Sequence, residues 1–206
     1  KLMNTKDISQ SKLNDNAEIA NIKKIVGLET NKTYTPDSVK KSLRYGHVLF
    51  MTDQDLDGSH IKGLLLCLFH SLWPSLLEMN YITSMITPIV KVTKSKKVIS
   101  FYTLTDYEKW VEKTEDSDKW NIKYYKGLGT SNRKEAQEYF QNLKTITYIE
   151  DSNSDKSIVK AFSKDKTNER KEWLKHYNKN LSFWKKLTDA LPHKPEVSDS
   201  IPLPAT

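Results

Sequence analysis

The sequence predicts an α/β fold: a mostly parallel sheet flanked by helices, with a small β-hairpin insertion and a basic helical C-terminal extension. Three observations carry that expectation. The stretch 46–63, GHVLFMTDQDLDGSHIKG, reads as strand, acidic turn and helix in immediate succession. Further on, strand-like stretches at 86–93, 98–102, 120–125 and 145–149 are separated by polar turns or helical patterns. From Ser157 the pattern is helical and rich in lysine.

Taken in order, Ala17, Ile19, Ala20, Ile22, Ile25 and Val26 recur at near-helical spacing behind the cap-like run Asn14-Asp15-Asn16. Gly27 stands where a C-cap falls, so one helix is predicted over 14–26. A polar loop containing Pro36 spans 31–37, and 38–43 suits a short helix. His47 to Thr52 is apolar, β-branched and aromatic, as a buried strand requires. Ser59 is placed to cap a helix through Ile61, Leu64, Leu65, Leu68 and Phe69. Pro74 predicts a kink or a second helix starting there.

Residues 86–93 and 98–102 form the hairpin, joined by Lys94-Ser95-Lys96-Lys97, whose lysines are solvated or touch phosphate. Thr105 is the expected cap of a helix over 106–113, with Tyr107, Trp110 and Val111 on one face. Alternation over 120–125 marks a half-buried strand, which runs into Lys126-Gly127-Leu128-Gly129-Thr130-Ser131 and a helix over 132–143. A further strand over 145–149 and a polar loop over 151–155 precede the basic helical part. There Lys160, Lys164, Lys166, Arg170, Lys171, Lys175 and Lys179 stand among Phe162, Trp173, Leu174 and Tyr177. Pro192, Pro195, Pro202 and Pro204 predict an extended tail or linker.

The chemistry concentrates in the acidic turn. Asp53, Asp55 and Asp57 follow the carboxyl end of a strand, where ligands bind in open α/β sheets. Adjacent anions repel unless a cation neutralises them, and hard divalent ions prefer carboxylate oxygen, so Mg²⁺ is the inferred ligand. D-x-D-x-D-G also opens a calcium-binding EF-hand loop, but position twelve, counted from Asp53, is Leu64 instead of glutamate, and the preceding segment reads as a strand. A solvated acidic turn is the plain alternative. The loop at 126–131 presents glycines, a lysine and Thr-Ser ahead of a helix, a way to offer backbone N–H groups to phosphate. It lacks the full phosphate-loop pattern, so nucleoside triphosphate binding does not follow, and a tight strand-to-helix turn accounts for it equally well.

Composition bounds these readings. The 206 residues carry a net charge of +7, with 37% hydrophobic and 29% charged residues, a pI near 9.2 and a mean hydropathy of −0.66. A basic chain holding a local acidic cluster suits a metal-dependent worker on nucleic acid. Cys67 is the single cysteine, which excludes a disulfide framework and fits core packing in a reducing compartment. No apolar run approaches a membrane span, and there is no signal-peptide pattern. The opening Lys1-Leu2-Met3-Asn4 suggests a part of a longer polypeptide.

Five blocks, DQDLDGSHIKGLL, ITPIVKV, YYKGLGT, KEAQEYF and RKEWL, lie in an order and spacing that resemble the TOPRIM region of eukaryotic-type DNA topoisomerase II. The resemblance covers roughly residues 1–179 and implies a TOPRIM-type, Rossmann-like fold. It implies a TOPRIM metal-binding domain over 1–150, a basic helical extension over 151–188 and a proline-rich tail over 189–206. The implied activity is that of an ATP-dependent type II topoisomerase, which cleaves, passes and religates double-stranded DNA. Asp53 would bridge two ion positions, Asp55 would hold the second ion, and Asp57 would act directly or through water. Mg²⁺ would be the cofactor, with Mn²⁺ or Ca²⁺ as substitutes, and ATP would bind elsewhere in the parent protein. Lys1, His60, Lys126, Gly127, Gly129, Thr130 and Ser131 would lie along DNA; a satisfied helix-start histidine is the plainer reading of His60. The family's metal-binding glutamate on an earlier strand, its nucleophilic tyrosine and its ATPase domain have no counterpart here, so the isolated chain is expected to be inactive. A homodimeric parent in the nucleus is implied, or in host cytoplasm for a large DNA virus, with no membrane partner. The alternatives are a noncatalytic DNA-binding module with a structural metal site, and another TOPRIM enzyme, a primase or nuclease.

Overall fold

The computed structural model describes residues 2–176. Lys1, the end of the expected basic extension and all of 189–206 lie outside the described residues. Two helices open the chain, α1 (Gln10–Asp15) and α2 (Ala17–Val26). Asn16 divides what the periodicity presents as one helix: its side chain accepts the Ile19 N–H at 3.0 Å and caps α2. Gly27 closes α2 at φ 89°, as the C-cap reading expects. Helix α3 (Pro36–Ser42) starts on Pro36 itself, behind a capping box of Thr35 and Ser38.

Strand β1 (Val48–Phe50), helices α4 (Leu56–Leu72) and α5 (Pro74–Glu78), and strand β2 (Ile82–Met85) form a parallel strand–helix–strand unit, with Val48 opposite Ile82. Pro74 begins α5, the second of the two outcomes expected at that proline. Strand β2 is buried along its whole length and escapes the periodicity reading because half of it is polar. Thr83 and Ser84 are buried with partners, the His47 ring nitrogen at 2.7 Å and the Tyr148 hydroxyl at 3.0 Å.

The hairpin follows as β3 (Val90–Lys94) and β4 (Lys97–Phe101), beginning after Pro88 and not at Ile86. Helix α6 (Leu104–Lys113) is capped by Thr103, two residues before the expected Thr105. Strand β5 (Asn121–Tyr124) pairs with the free side of β3, so the hairpin belongs to a three-stranded antiparallel sheet in the order β4-β3-β5. Helix α7 (Arg133–Gln141) leads to β6 (Thr145–Thr147), antiparallel to β2, which makes the other sheet β1-β2-β6. Helices α8 (Ser154–Phe162) and α9 (Thr167–Lys175) form the basic end.

The fold is mixed α/β, but a mostly parallel sheet is not what forms among the described residues. Of the paired strands, only β1 and β2 follow one another through a helical connection, and only they pair in parallel; the two-residue turn at Ser95-Lys96 and the return of β6 along β2 impose antiparallel pairing. The main core gathers Leu68, Trp73, Leu76 and Ile82, each at 0% exposure, and Trp73 donates its ring N–H to the Glu29 carbonyl at 2.8 Å. A second cluster, Val90, Val92 and Phe101 under Tyr107, Trp110 and Trp120, seats α6 on the antiparallel sheet. Cys67 is a fully buried free thiol, as expected. Among the described residues no helix is long and apolar enough to cross a membrane.

Candidate metal and nucleic-acid site

Strand β1 ends at Phe50, and the chain turns through Asp53 into α4. Asp55, not Ser59, is the cap: its Oδ1 accepts the Gly58 N–H at 2.8 Å. Ser59 lies buried in the first turn and donates its hydroxyl to the Asp55 carbonyl at 2.7 Å. Three residues short of the expected cap, the helix begins where the side chain oxygen first meets a free N–H. Asp57 falls in that first turn, where the helix dipole favours an anion. Gly58 has no room for a side chain, since a Cβ would stand 2.0 Å from the Asp53 carbonyl oxygen.

The second motif closes over the first. Residues 126–131 leave β5 and form one 3₁₀ turn, Leu128–Thr130. The Leu128 N–H donates to Asp53 Oδ1 at 2.7 Å, across 75 residues of sequence. A Cβ on Gly127 would lie 2.7 Å from the same carboxylate oxygen, so glycine is what lets the loop approach. The loop is anchored from below by Glu135 of α7, which accepts the Tyr125 hydroxyl, the Lys123 ammonium at 2.8 and 2.9 Å, and the Asn132 N–H at 2.8 Å. Burial raises the Glu135 pKa, but the bonds from Lys123, Tyr125 and Asn132 outweigh it and hold the carboxyl down to about 2. Burial and then Glu135 push the Tyr125 hydroxyl up.

The structure thus brings Asp53, Gly127 and Leu128 together. Asp55, Asp57, His60, Lys126, Gly129 and Thr130 are exposed, while the Ser131 hydroxyl is engaged with the Tyr139 hydroxyl at 3.2 Å. Lys1 lies outside the described residues. Among the described residues no group of three or more Asp, Glu, His or Cys side chains is arranged to hold a metal ion. Asp53 and Asp55 point Oδ1 at different backbone donors, and each carboxylate keeps further lone pairs for a cation. This donor set fits a hard divalent ion as a partial site, two carboxylates that need further ligands from elsewhere. The calcium-loop alternative fails: β1 precedes the turn, α4 begins inside the would-be loop, and Leu64 is buried in α4.

Sequence reading missed Lys62 and Gln54. Lys62 is buried at 1% exposure, and its Nζ reaches Gln54 Oε1 at 3.4 Å; Gln54 Nε2 in turn donates to the Met85 carbonyl at 3.1 Å. Burial lowers the Lys62 pKa to about 8 against the opposing charge of Asp55. The available signal was spacing, since Lys62 stands two turns beyond the Asp55 cap on one helix face. In the basic end, Arg170 satisfies the Lys160 and Ser163 carbonyls at 3.0 Å each, closing α8. Lys166 and Lys175 pair with Glu169 and Glu172, and Lys94 of the hairpin turn pairs with Asp116.

Residues 85–199 match the family described as the C-terminal associated domain of TOPRIM. The chain is 48% identical over 180 residues to DNA topoisomerase 2-alpha of Cricetulus griseus and of Homo sapiens, covering 86% of this chain and 12% of each relative. It is 46% identical over 190 residues to DNA topoisomerase 2 of Drosophila melanogaster, covering 91% of this chain and 13% of that one. The chain therefore spans about an eighth of the length of these curated relatives. A solved structure, the DNA-binding, cleavage and re-ligation domain of Plasmodium falciparum topoisomerase II, superposes with a TM-score of 0.78 at 45% identity, covering 86% of this chain and 24% of that one.

Two outcomes follow from this geometry. Gly58→Ala is expected to destabilise the chain by about 3 kcal/mol in denaturant unfolding, because the obstructing atom is backbone. Glu135, with its folded pKa depressed to about 2, contributes stability that is present above its ordinary pKa and is lost as pH falls through about 2. The stability difference between the natural chain and Glu135→Gln is therefore expected to reach up to about 3 kcal/mol at neutral pH and to vanish toward pH 2. Thermal melts at a series of pH values measure it.

Proposed function

The chain belongs to the family of the C-terminal associated domain of TOPRIM, as part of the TOPRIM region of a type II DNA topoisomerase, and on that premise we propose that its acidic turn holds Mg²⁺ for DNA cleavage and religation. The observation that carries this reading is the Asp53–Leu128 hydrogen bond, which puts the acidic turn and the 126–131 loop into one site. Asp53 and Asp55 would hold the ion, and Asp57 would act directly or through water. The bound ion supplies charge stabilisation at the phosphate where the strand is cut.

The chain's own residues do the rest of the work assigned to them. The Leu128 amide orients the Asp53 carboxylate, and the Gly58 amide orients that of Asp55. Lys126, Gly129 and Thr130, exposed on the loop beside Asp53, are proposed to meet the DNA backbone, with Gly127 and Ser131 shaping the loop and His60 nearby on α4. Among the described residues β1 pairs on one side only, and its free edge suits a further strand carrying the missing acidic ligand. We extend the proposal to the parent protein: ATP bound in another domain, a homodimer acting on double-stranded DNA, and residence in the nucleus. Within this chain, 1–150 would be the metal-binding unit, 151–188 the basic extension and 189–206 the tail.

In the topoisomerase that carries this chain, Asp53→Asn or Asp55→Asn is expected to lower DNA cleavage by on the order of 100-fold while metal-free DNA affinity stays within about twofold. Lys126→Ala is expected to weaken DNA binding and reduce its salt dependence by about one counterion. Undiminished cleavage in both aspartate variants would contradict the metal assignment. Unchanged affinity and salt slope in Lys126→Ala would remove the loop from the DNA surface.

A further inference from the structure

Among the fully buried side chains of the described residues, Lys62 stands next after Trp73 in volume. Burying an ammonium carries a desolvation penalty of several kcal/mol, and a methionine fills similar space without it. The charge, not the volume, is what this position uses. Two of the groups it meets belong to the acidic turn: the Gln54 amide oxygen at 3.4 Å, and Asp55, whose negative charge acts on it. Gln54 lies between the two proposed ligands in sequence, and its amide nitrogen is fastened to the Met85 carbonyl at the end of β2. From the helix interior to the strand end, the contacts therefore run Lys62, Gln54, Met85. The turn between Asp53 and Asp55 is held against the sheet by a cation placed beneath it.

We infer that Lys62 is a positioning residue: its buried ammonium, acting through Gln54 and on Asp55, holds residues 53–55 in the shape that aims Asp53 at the Leu128 amide and Asp55 at the Gly58 amide. The inference deepens the proposed metal site and rests on that reading for its functional meaning, but its geometry stands in the metal-free chain. An internal cation also lets carboxylates crowd together before an external one arrives. Lys62 thus keeps the turn assembled between binding events.

The test is amide hydrogen exchange, read by NMR on the ¹⁵N-labelled chain without metal, for the natural sequence, Lys62→Met and Gln54→Leu. The expected result is a melting temperature equal to or above that of the natural chain, together with at least about tenfold faster exchange of the Gly58 and Leu128 amides. Amides in α8 and β3 keep their rates. Natural exchange at Gly58 and Leu128 in a folded variant would overturn the inference, and so would an equal acceleration across the whole chain, which marks a merely structural role. Should Lys62→Met fail to fold, Gln54→Leu decides by the same two amides. A Mn²⁺ titration of the parent topoisomerase with the natural Asp53 and Asp55 is the separate arm: absence of binding there contradicts the metal reading, and the amide rates still decide the role of Lys62.

Discussion

One hydrogen bond organises the site: the Leu128 N–H on Asp53 Oδ1. It joins the end of the parallel unit to the loop that leaves the antiparallel sheet, so each sheet contributes one side. The bond forms only because two glycines keep out of its way. Gly127 lets the loop backbone approach the carboxylate, and Gly58 lets the first turn of α4 lie against the Asp53 carbonyl. Neither glycine is there for a left-handed backbone; both are there for space.

Three carboxylates within five residues are an electrostatic burden, and the fold distributes it. Asp55 caps α4, Asp57 sits in its favourable first turn, and Asp53 takes a backbone N–H from across the molecule. Lys62 adds a buried positive charge beneath them. On the loop side, Glu135 gathers Lys123, Tyr125 and the Asn132 amide into one network under residues 126–131. Both halves of the site are thus held from behind by partnered charges, a buried one at Lys62 and half-buried ones at Glu135 and Lys123, while Asp55, Lys126 and Thr130 stay exposed.

Much of this was legible in the residues, for physical reasons. The acidic turn, the Gly27 cap, the break at Pro74 and the loop glycines each depend on local chemistry, and each was read where it stands. What escaped depends on partners distant in sequence. Strand β2 carries two polar residues that are buried only because His47 and Tyr148 satisfy them. The cap fell to Asp55 instead of Ser59 because both residues have suitable oxygens and only backbone geometry selects one. The sheet came out largely antiparallel because pairing direction is set by how strands are connected, which alternation does not encode. In the sequence Lys62 is a lysine within an apolar helix pattern, and only its burial distinguishes it.

If Asp53 and Asp55 hold a divalent cation beside the 126–131 loop, paramagnetic broadening by Mn²⁺ reads it directly. Substoichiometric Mn²⁺ added to the ¹⁵N-labelled chain should erase the amide signals of Gly58 and Leu128 before those of α8 or β4, and an Asp53→Asn, Asp55→Asn double variant should abolish that selectivity. Broadening centred on any other acidic group, or selective broadening that persists in the double variant, would contradict that assignment.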